Sequence, residues 1–407
     1  MKTPRPDRSA VDPTRYSRLP AGIWALGMVS MLMDISSELV HSLLPLYLTS
    51  VMGASMLTVG AIEGMAEAAA AVSRVFSGTI SDYLGRRKLI AVIGYGLSAA
   101  TKPIFPLAGT VSWIFAARFI DRLGKGIRGA PRDALVADLV TAELRGAAYG
   151  LRQALDSVGA FIGPALALAF MLWLGSDIRA VLWLAIWPAW FAVLLLVIAV
   201  REKRPTVDSP RSAPRLSMAQ VSRLPRRFWQ VVALGGVFTL ARFSEAFLIL
   251  RIRDVGLAAA YVPAVLIVMN LVYAVFAYPA GAVADRLSAR TLLLYGLGVL
   301  IIADMVLALA ISPAVAFAGA AFWGLHMALT QGLLAKLVAD NAPVALRGTA
   351  FGIFNLVCGV AVLLASVIAG ACWSAFGPSA TFFAGAVFAA MAATGLHLSR
   401  NRPRRAG

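Results

Sequence analysis

Long uncharged runs alternate with short polar stretches along most of this chain, and residues 180–200 form one such run without a charged side chain. A helix needs about 20 mainly apolar residues to span a bilayer. The pattern therefore predicts twelve membrane-spanning helices, with approximate bounds of 22–49, 56–81, 89–107, 113–137, 148–173, 180–200, 229–252, 260–284, 292–311, 314–338, 349–372 and 380–398.

The composition supports a membrane protein. Of 407 residues, 60% are hydrophobic and only 14% are charged, and the mean hydropathy is +0.79. Soluble domains contain about 25% charged residues. A soluble protein would have to bury too many uncharged runs, so we exclude that class.

The net charge of +17 sets the predicted orientation. When the loops are assigned alternately to two sides, the side with both termini carries 24 Lys and Arg, and the other carries only Arg179 and Arg253. Cytoplasmic loops are enriched in Lys and Arg. We therefore expect both termini in the cytoplasm, and we interpret the basic charge as a topology signal and not as a nucleic-acid surface.

The chain is predicted to have two halves. A proline-rich basic linker, 201–228, separates bundles at 21–200 and 229–398, with short tails at 1–20 and 399–407. GTISDYLGRR at 78–87 matches GAVADRLSAR at 281–290, and ADLVTAELRGAAYG at 137–150 matches ADNAPVALRGTAFG at 339–352, at nearly constant offset. Such internal repeats are typical of secondary transporters.

The first repeat resembles the signature of the major facilitator superfamily, and its residues are Gly78, Asp82, Gly85, Arg86, Arg87 and Lys88. A degenerate second copy contains Asp285 and Arg290, with Ser288 in place of the second glycine. The resemblance implies an all-α membrane protein with twelve transmembrane helices in two pseudo-symmetric six-helix bundles. It also implies that Asp82 helps to lock the two halves together on the cytoplasmic side.

Two further motifs resemble those of bacterial drug-efflux proton antiporters in this superfamily. Residues 122–130, RLGKGIRGA, are similar to the helix-4 motif of proton-coupled members, although Lys125 stands where glutamine is usual. Gly159, Gly163 and Pro164 are similar to the end of the antiporter motif on helix 5. The resemblance implies proton-coupled efflux by a multi-pass monomer in a bacterial inner membrane, driven by the proton gradient without a cofactor or metal.

Predicted span 4 contains the densest internal charge, RFIDRLGKGIRGAPRDA at 118–134. A charge at the bilayer centre costs roughly 2.5–3.5 kcal/mol, so these side chains must face water, a partner or a substrate. Helical spacing places Arg118, Arg122 and Lys125 along one stripe, and Asp121 can pair with Lys125 four residues on. Lys102 is expected to extend to the outer surface.

In the superfamily that the chain resembles, helices 1, 4, 7 and 10 line a central cavity. The polar residues on the corresponding spans are therefore the cavity candidates: Asp34, Glu38, Arg118, Asp121, Arg122, Lys125, Arg242, Glu245, His326 and Gln331. A cavity carboxylate can bind and release a proton when burial and a nearby cation alternate. Our first candidate is Glu38 and then Asp34, with Arg122 as the modulating cation; the alternative is a static ion-pair network.

Glu63 with Glu67, and Arg152 with Asp156, are interpreted as structural pairs, and Asp304 has no predicted role. The acidic candidates suit a lipophilic cation, whereas the basic stripe suits a small organic or phosphorylated anion. An uncoupled facilitator and a non-transporting membrane receptor remain alternatives. No catalytic or nucleotide-binding motif is present in the sequence, so we do not expect an enzyme.

Overall fold

The computed structural model describes residues 19–202, 224–284, 287–330, 332–343 and 346–398. The α-helices of the first half are α1 Ala21–Leu46, α2 Met56–Leu84, α3a Arg87–Thr101, α3b Ile104–Leu107, α4 Val111–Leu139, α5 Arg145–Trp173, α6a Ile178–Leu184 and α6b Ile186–Ala199. Helix α1 continues into one π-helical turn at Tyr47–Val51.

The second half repeats this order with two more broken helices. Its α-helices are α7a Arg226–Leu240, α7b Ala246–Asp254, α8 Ala264–Ala284, α9 Ala289–Ala308, α10a Pro313–Thr330, α10b Leu333–Asn341, α11 Arg347–Phe376 and α12 Pro378–Leu398. The predicted bounds agree with these helices to within a few residues at most ends. The predicted linker and both predicted tails lie wholly or largely outside the described residues.

Ten helical stretches of the described chain are long and apolar enough to cross a membrane. The two predicted spans outside this set are the fourth and the seventh. Helix α4 has the length, at 29 residues, but carries the charges of 118–134. The seventh is broken into pieces of 15 and 9 residues. The count of twelve stays a prediction.

The sequence sets some helix ends directly. Helix α2 ends at Gly85, whose φ of 61° is left-handed, a conformation that glycine adopts without steric cost. Helix α9 begins after Ser288, whose side chain accepts a hydrogen bond from the Thr291 N–H at 3.1 Å. The first copy of the repeated motif therefore ends α2 with a glycine, whereas the second copy begins α9 with a serine N-cap.

The two halves use matching helix pairs. In the first half α1 packs on α5 and α6b, α2 on α4, and α3a on α4 and α6b. In the second half α7a packs on α11 and α12, α8 on α10a, and α9 on α10a and α12. Each pair in one half corresponds to a pair in the other, as expected for a duplicated bundle.

The halves meet most extensively along α2 and α11, where glycines allow the two backbones to approach closely. An added Cβ at Gly60 or Gly64 of α2 would lie 2.2 Å from Ser366 O or 3.0 Å from Leu363 O of α11. On α11, a Cβ at Gly370 would lie 2.5 Å from Met56 O. Close backbone approach through small residues is typical of membrane helices.

The halves also meet at α5–α8 and α1–α7b. We call the side at which α1 begins and α12 ends the terminal side. Away from that side, Leu43, Leu44 and Tyr47 of α1 and Phe247 and Leu248 of α7b are completely buried in one apolar cluster. This cluster packs α1 of the first half against α7b of the second half on the opposite side.

Candidate functional site

Two polar cavities lie between the halves. Cavity A, of about 440 Å³, is nearer the terminal side, and its lining residues are Asp34, Glu38, Arg74, Lys125, Arg128, Gly129, Arg132, Asp133, Arg152, Gln153, Asp156, Ser157, Ala160, Asn270, Tyr273 and Met327. Cavity B, of about 390 Å³, is deeper, and its lining residues are Glu38, His41, Glu67, Arg122, Lys125, Phe238, Thr239, Arg242, Phe243, Ser244, Glu245, Trp323, Leu334 and Val362.

Among the described residues, only Glu38 of α1 and Lys125 of α4 line both cavities. Glu38 Oε2 lies 3.2 Å from Nδ1 of His41, one turn further along α1. Lys125 makes no side-chain hydrogen bond or ion pair with another described residue. Glu38 and Lys125 therefore lie where the two cavities share lining residues, and the Lys125 ammonium has no described side-chain partner that would compete with a ligand.

The helix-5 glycines set the position of the α1 acids. An added Cβ at Gly159 would lie 3.0 Å from Asp34 Cβ, and one at Gly163 would lie 2.8 Å from Glu38 Cβ. Pro164 follows within the same helix. Helices α1 and α5 thus touch directly beside both predicted proton-coupling carboxylates. Asp34 forms no side-chain hydrogen bond or ion pair with any described residue.

Two parallel ion pairs join α2 to α4. Arg118 Nη2 lies 2.7 Å from Glu63 Oε2, and both side chains are almost completely buried. One turn further on, Arg122 Nε lies 3.1 Å from Glu67 Oε1. Arg118 lines neither cavity, because Glu63 holds it between helices, which corrects its assignment as a cavity residue. Arg122 lines cavity B, but its described partner is Glu67 and not Glu38.

Asp121 and Lys102 form a third buried pair. Lys102 Nζ lies 3.0 Å from Asp121 Oδ1 and 3.1 Å from Ser37 Oγ, and Lys102 is 0% exposed. The prediction that Lys102 extends to the surface is wrong, since Asp121 neutralises it inside the bundle. The predicted pairing of Asp121 with Lys125 is also wrong, and Asp121 lines neither cavity.

The remaining α4 charges contact the walls of cavity A. Arg128 Nη1 donates to Ser98 Oγ at 2.5 Å and lies 4.8 Å from the centre of the Tyr95 ring. Arg132 donates to Ser30 Oγ at 3.1 Å and is bound to Asp133 at 3.2 Å. On α5, Arg152 and Asp156 form the expected pair at 2.5 Å.

Helix α7 is unwound at cavity B, between Leu240 and Ala246. Its Ser244 N–H donates to Ser366 Oγ of α11, and Ser244 Oγ accepts from the Ala246 N–H, each at 3.2 Å. Non-helical backbone inside a membrane must find such partners. Arg242 and Glu245 therefore lie in a break and not on one helical face. Neither forms an ion pair or a side-chain hydrogen bond with a described residue.

His326 and Gln331 complete the cavity candidates. The Nδ1 of His326 lies 2.7 Å from Gly296 O, the residue is 0% exposed, and its ring packs on Phe238. His326 lines neither cavity, which corrects its assignment, because Phe238 lies on it. Gln331 lies outside the described residues.

The signature residues lie at the terminal side. Gly78 faces α4, where its added Cβ would lie 3.3 Å from Ala130 Cβ, and Arg86 precedes α3a. Arg87 binds Asp138 of α4, and its N–H donates to Glu202 Oε1 at 2.6 Å. Arg290 donates to the carbonyls of Leu396 and His397. The Asp82 side chain and Asp285 lie outside the described part, so the gate between the halves stays a prediction.

Sequence reasoning missed several contributors to this region. Glu67 and Lys102 were not identified as partners of the charged residues on span 4, and Asn270 and Tyr273 of α8 were not named as cavity residues. One signal was present. Glu63 and Glu67 are four residues apart, as are Arg118 and Arg122, so two parallel helices can pair them in register. No pattern on α8 distinguishes Asn270, which donates to Ala160 O at 3.1 Å.

Comparison with known proteins identifies the family. The model of the Major Facilitator Superfamily matches residues 26–270 and 246–407. An uncharacterised MFS-type transporter of Methanocaldococcus jannaschii is 33% identical over 379 residues, which cover 91% of this chain and 93% of that protein. The chain therefore belongs to the Major Facilitator Superfamily, and the predicted resemblance to that superfamily is confirmed.

Two other proteins show how far the likeness extends. The inner membrane transport protein YajR of Escherichia coli is 25% identical over 389 residues, covering 90% of this chain and 81% of that protein. The crystal structure of the nucleoside transporter NupG aligns with a TM-score of 0.76 at 13% identity, covering 92% of this chain and 99% of that one. The fold is that of MFS transporters, and the chain is an integral multi-pass membrane protein.

Proposed function

We propose that this chain is a proton-coupled transporter that exports a small amphipathic molecule by alternating access. The observation that carries the proposal is the position of Glu38 and Lys125 at the junction of cavities A and B. Both side chains are therefore within reach of a molecule or proton in either cavity. The carboxylate can hold the proton, and the unpartnered ammonium can balance the charge when the proton leaves.

The α1 acids are the proposed coupling residues, and Arg122 modulates Glu38 across cavity B, which both side chains line. Glu38 is the first candidate because it contacts both cavities, and Asp34 is the second because it lines cavity A without a partner. Their exposure to water changes if α1 and α5 move together relative to the second half, because Gly159 and Gly163 join these helices closely.

Export is favoured by the helix-5 motif, which resembles that of proton antiporters. The wall of cavity B also suits an amphipathic cargo. Its second-half side presents Phe238, Phe243 and Trp323 as well as two titratable side chains, whereas its first-half side presents titratable side chains alone. A molecule with an apolar body and one polar end would satisfy both sides.

A second candidate cargo is a small organic anion. Lys125 and Arg242 line cavity B from opposite halves, and neither has an ion-pair partner among the described residues. Two unpaired cations across one cavity would bind a carboxylate or phosphate. Glu245, which also has no described ion pair, favours instead a cargo with a cationic group. An anionic cargo and a cationic cargo therefore predict opposite ligand preferences for cavity B.

The decisive experiment begins with ligand classes. Purified protein is screened by thermal stability against a quaternary ammonium compound, an aromatic carboxylate and an organic phosphate, because a ligand raises the stability of the state that binds it. A shift with the first compound alone supports a cationic cargo. A shift with only the acids supports the anion candidate.

The stabilising compound is then followed into proteoliposomes with an imposed pH gradient. We expect gradient-driven flux in the wild type, its loss in Glu38→Gln, a reduction in Arg122→Ala, and no change in the control Glu143→Gln, an exposed loop residue. Unchanged pH-dependent flux in both test variants would remove the coupling assignment. Flux that ignores the gradient would indicate a facilitator, and binding without flux a receptor.

We further propose that the protein is a monomer in the bacterial inner membrane with both termini in the cytoplasm. The excess of Lys and Arg on the side that holds both termini supports the orientation. Single cysteines at Arg179 and Arg201, in an otherwise cysteine-free chain, test this orientation. An impermeant thiol reagent added to intact cells should label only the cysteine at position 179. Labelling of position 201 instead would indicate the opposite orientation.

A further inference from the structure

An isolated carboxyl group lies in the second half, away from both cavities. Asp304 of α9 is 0% exposed, and neither carboxyl oxygen has a hydrogen-bond partner in the described part of the chain. An ionised carboxylate without a partner is far more costly to bury than a neutral acid. The structure therefore favours a protonated Asp304 in this conformation.

Titratable groups on the neighbouring helices do not contact Asp304. Arg251 of α7b, near the same end of α9, is held by Asp254 and by the carbonyls of Leu307, Ala308 and Ala310, and His326 of α10a lies against Gly296 O. No described contact joins Asp304 to the other titratable groups on α7, α9, α10b and α12, the helices around it. These groups are Arg226, Arg227, Arg242, Glu245, Arg253, Arg290, Tyr295, Lys336, Asp340 and His397.

One aromatic ring separates this acid from cavity B. A Cβ added at Gly385 of α12 would lie 2.7 Å from Asp304 Oδ2 and 2.8 Å from Phe243 Cε1. The carboxyl group of Asp304 and the edge of the Phe243 ring therefore lie on either side of Gly385. Phe243 lines cavity B, as does Trp323, whose ring centre lies 5.3 Å from that of Phe243. The buried Nε1 of Trp323 also lacks a described partner.

Phe243 belongs to the unwound segment of α7. Its backbone is therefore not fixed by a continuous helical ladder, and a small change there can move the ring. The Phe243 ring also contacts Phe382 and Trp323, and a shift of this ring would open Asp304 and the Trp323 N–H to cavity B. Two polar groups without described hydrogen-bond partners therefore lie behind one aromatic residue whose backbone is not helical.

We propose that Asp304 is a second proton-binding site, which exchanges its proton with water in cavity B when Phe243 moves away. On release, the carboxyl O–H bond breaks, the proton passes to water, and the negative charge stays on Asp304. Uptake reverses these steps before the ring returns. A role for this proton-binding site in transport rests on the proton-coupled transport proposed above. Whether Asp304 binds and exchanges a proton can be tested without a cargo.

Infrared spectroscopy of the purified protein tests the site. At neutral pH the wild type should show a protonated carboxyl band that Asp304→Asn lacks, whereas Glu38→Gln should retain this band. In heavy water the band should shift slowly in the wild type and several-fold faster in Phe243→Ala. Phe247→Ala is the matched control, because Phe247 contacts Phe243 but does not line cavity B.

Identical carboxyl spectra for wild type and Asp304→Asn would overturn the proposal, since Asp304 would then be ionised. Exchange that is equally fast in Phe243→Ala and Phe247→Ala would overturn the route through Phe243. The flux experiment with Glu38→Gln can fail while the carboxyl band persists, and the reverse can also occur. The two results therefore separate failure of this inference from failure of the proposed function.

Discussion

The two halves pack the same helix pairs but differ in how many of their buried charges form ion pairs between helices. The first half holds Arg118–Glu63 and Lys102–Asp121 as buried ion pairs between neighbouring helices. Of its charged groups at cavity A, Asp34 and Lys125 have no such described pair. In the described part of the second half the ion pair is Arg251–Asp254, near one end of α7b. There Asp304, Arg242 and Glu245 form no ion pair or side-chain hydrogen bond with a described residue, and Arg242 lies over the Phe238 ring.

This difference indicates a division of roles within one duplicated fold. Ion pairs between α2, α3a and α4 hold the first half in one arrangement, because separating any pair would leave a charge in an apolar interior. The second half instead has a broken α7 and a solitary acid, both compatible with rearrangement. We infer that α2, α3a and α4 form an electrostatically fixed part of the first half, and that the broken α7 is the more readily rearranged part of the second half.

The largest effect should come from breaking a first-half pair. Arg118→Ala leaves Glu63 buried without its partner and should lower the free energy of unfolding by about 3–5 kcal/mol. Denaturant titration in lipid micelles measures this change. The double variant Arg118→Met with Glu63→Met, which removes both charges, should recover most of the loss. A single variant as stable as the wild type would contradict the contrast between the halves.

A smaller effect is expected at the contact between α1 and α5. Gly163→Ala places a Cβ 2.8 Å from Glu38 Cβ, and overpacking of this kind costs about 1–3 kcal/mol. The same titration measures it, and transport should fall because Glu38 is displaced. Gly96→Ala is the matched control, since its Cβ would meet nothing within 4 Å. Equal losses at both glycines would show that the α1–α5 contact is not special.

The smallest effect, with the opposite sign, is expected in the second half. Asp304→Ala removes a buried polar group without a described partner, which costs about 1–3 kcal/mol to bury, although a small cavity offsets part of the gain. Stability should therefore stay level or rise by about 1 kcal/mol. A loss as large as that of Arg118→Ala would mean that Asp304 has a structural partner, and the two halves would not differ as described.

The sequence predicted the helices and the family well, because long apolar runs and the signature around Gly78 and Arg87 are local patterns. It also placed Glu38 and Lys125 in a polar region between the halves. Pairing was harder to predict. Spacing alone suggested Asp121 with Lys125, whereas the tertiary packing of α3a against α4 brings Lys102 to Asp121.

The break in α7 had no strong local signal. Residues 241–245, ARFSE, contain neither glycine nor proline, so helix propensity alone predicts continuity. The backbone unwinds there with help from another helix, since Ser366 of α11 accepts the Ser244 N–H. Likewise, the isolation of Asp304 depends on what its neighbours lack, and no pattern within its own helix reveals that.

The glycine contacts between α2 and α11 have a mechanical consequence. Because Gly60, Gly64 and Gly370 bring backbone against backbone, few side chains mesh across this line. The two helices can change their crossing angle without first withdrawing large residues from one another. A rocking motion about this smooth axis would therefore meet little steric resistance, and a single bulky residue placed on it should hold the molecule in one pose.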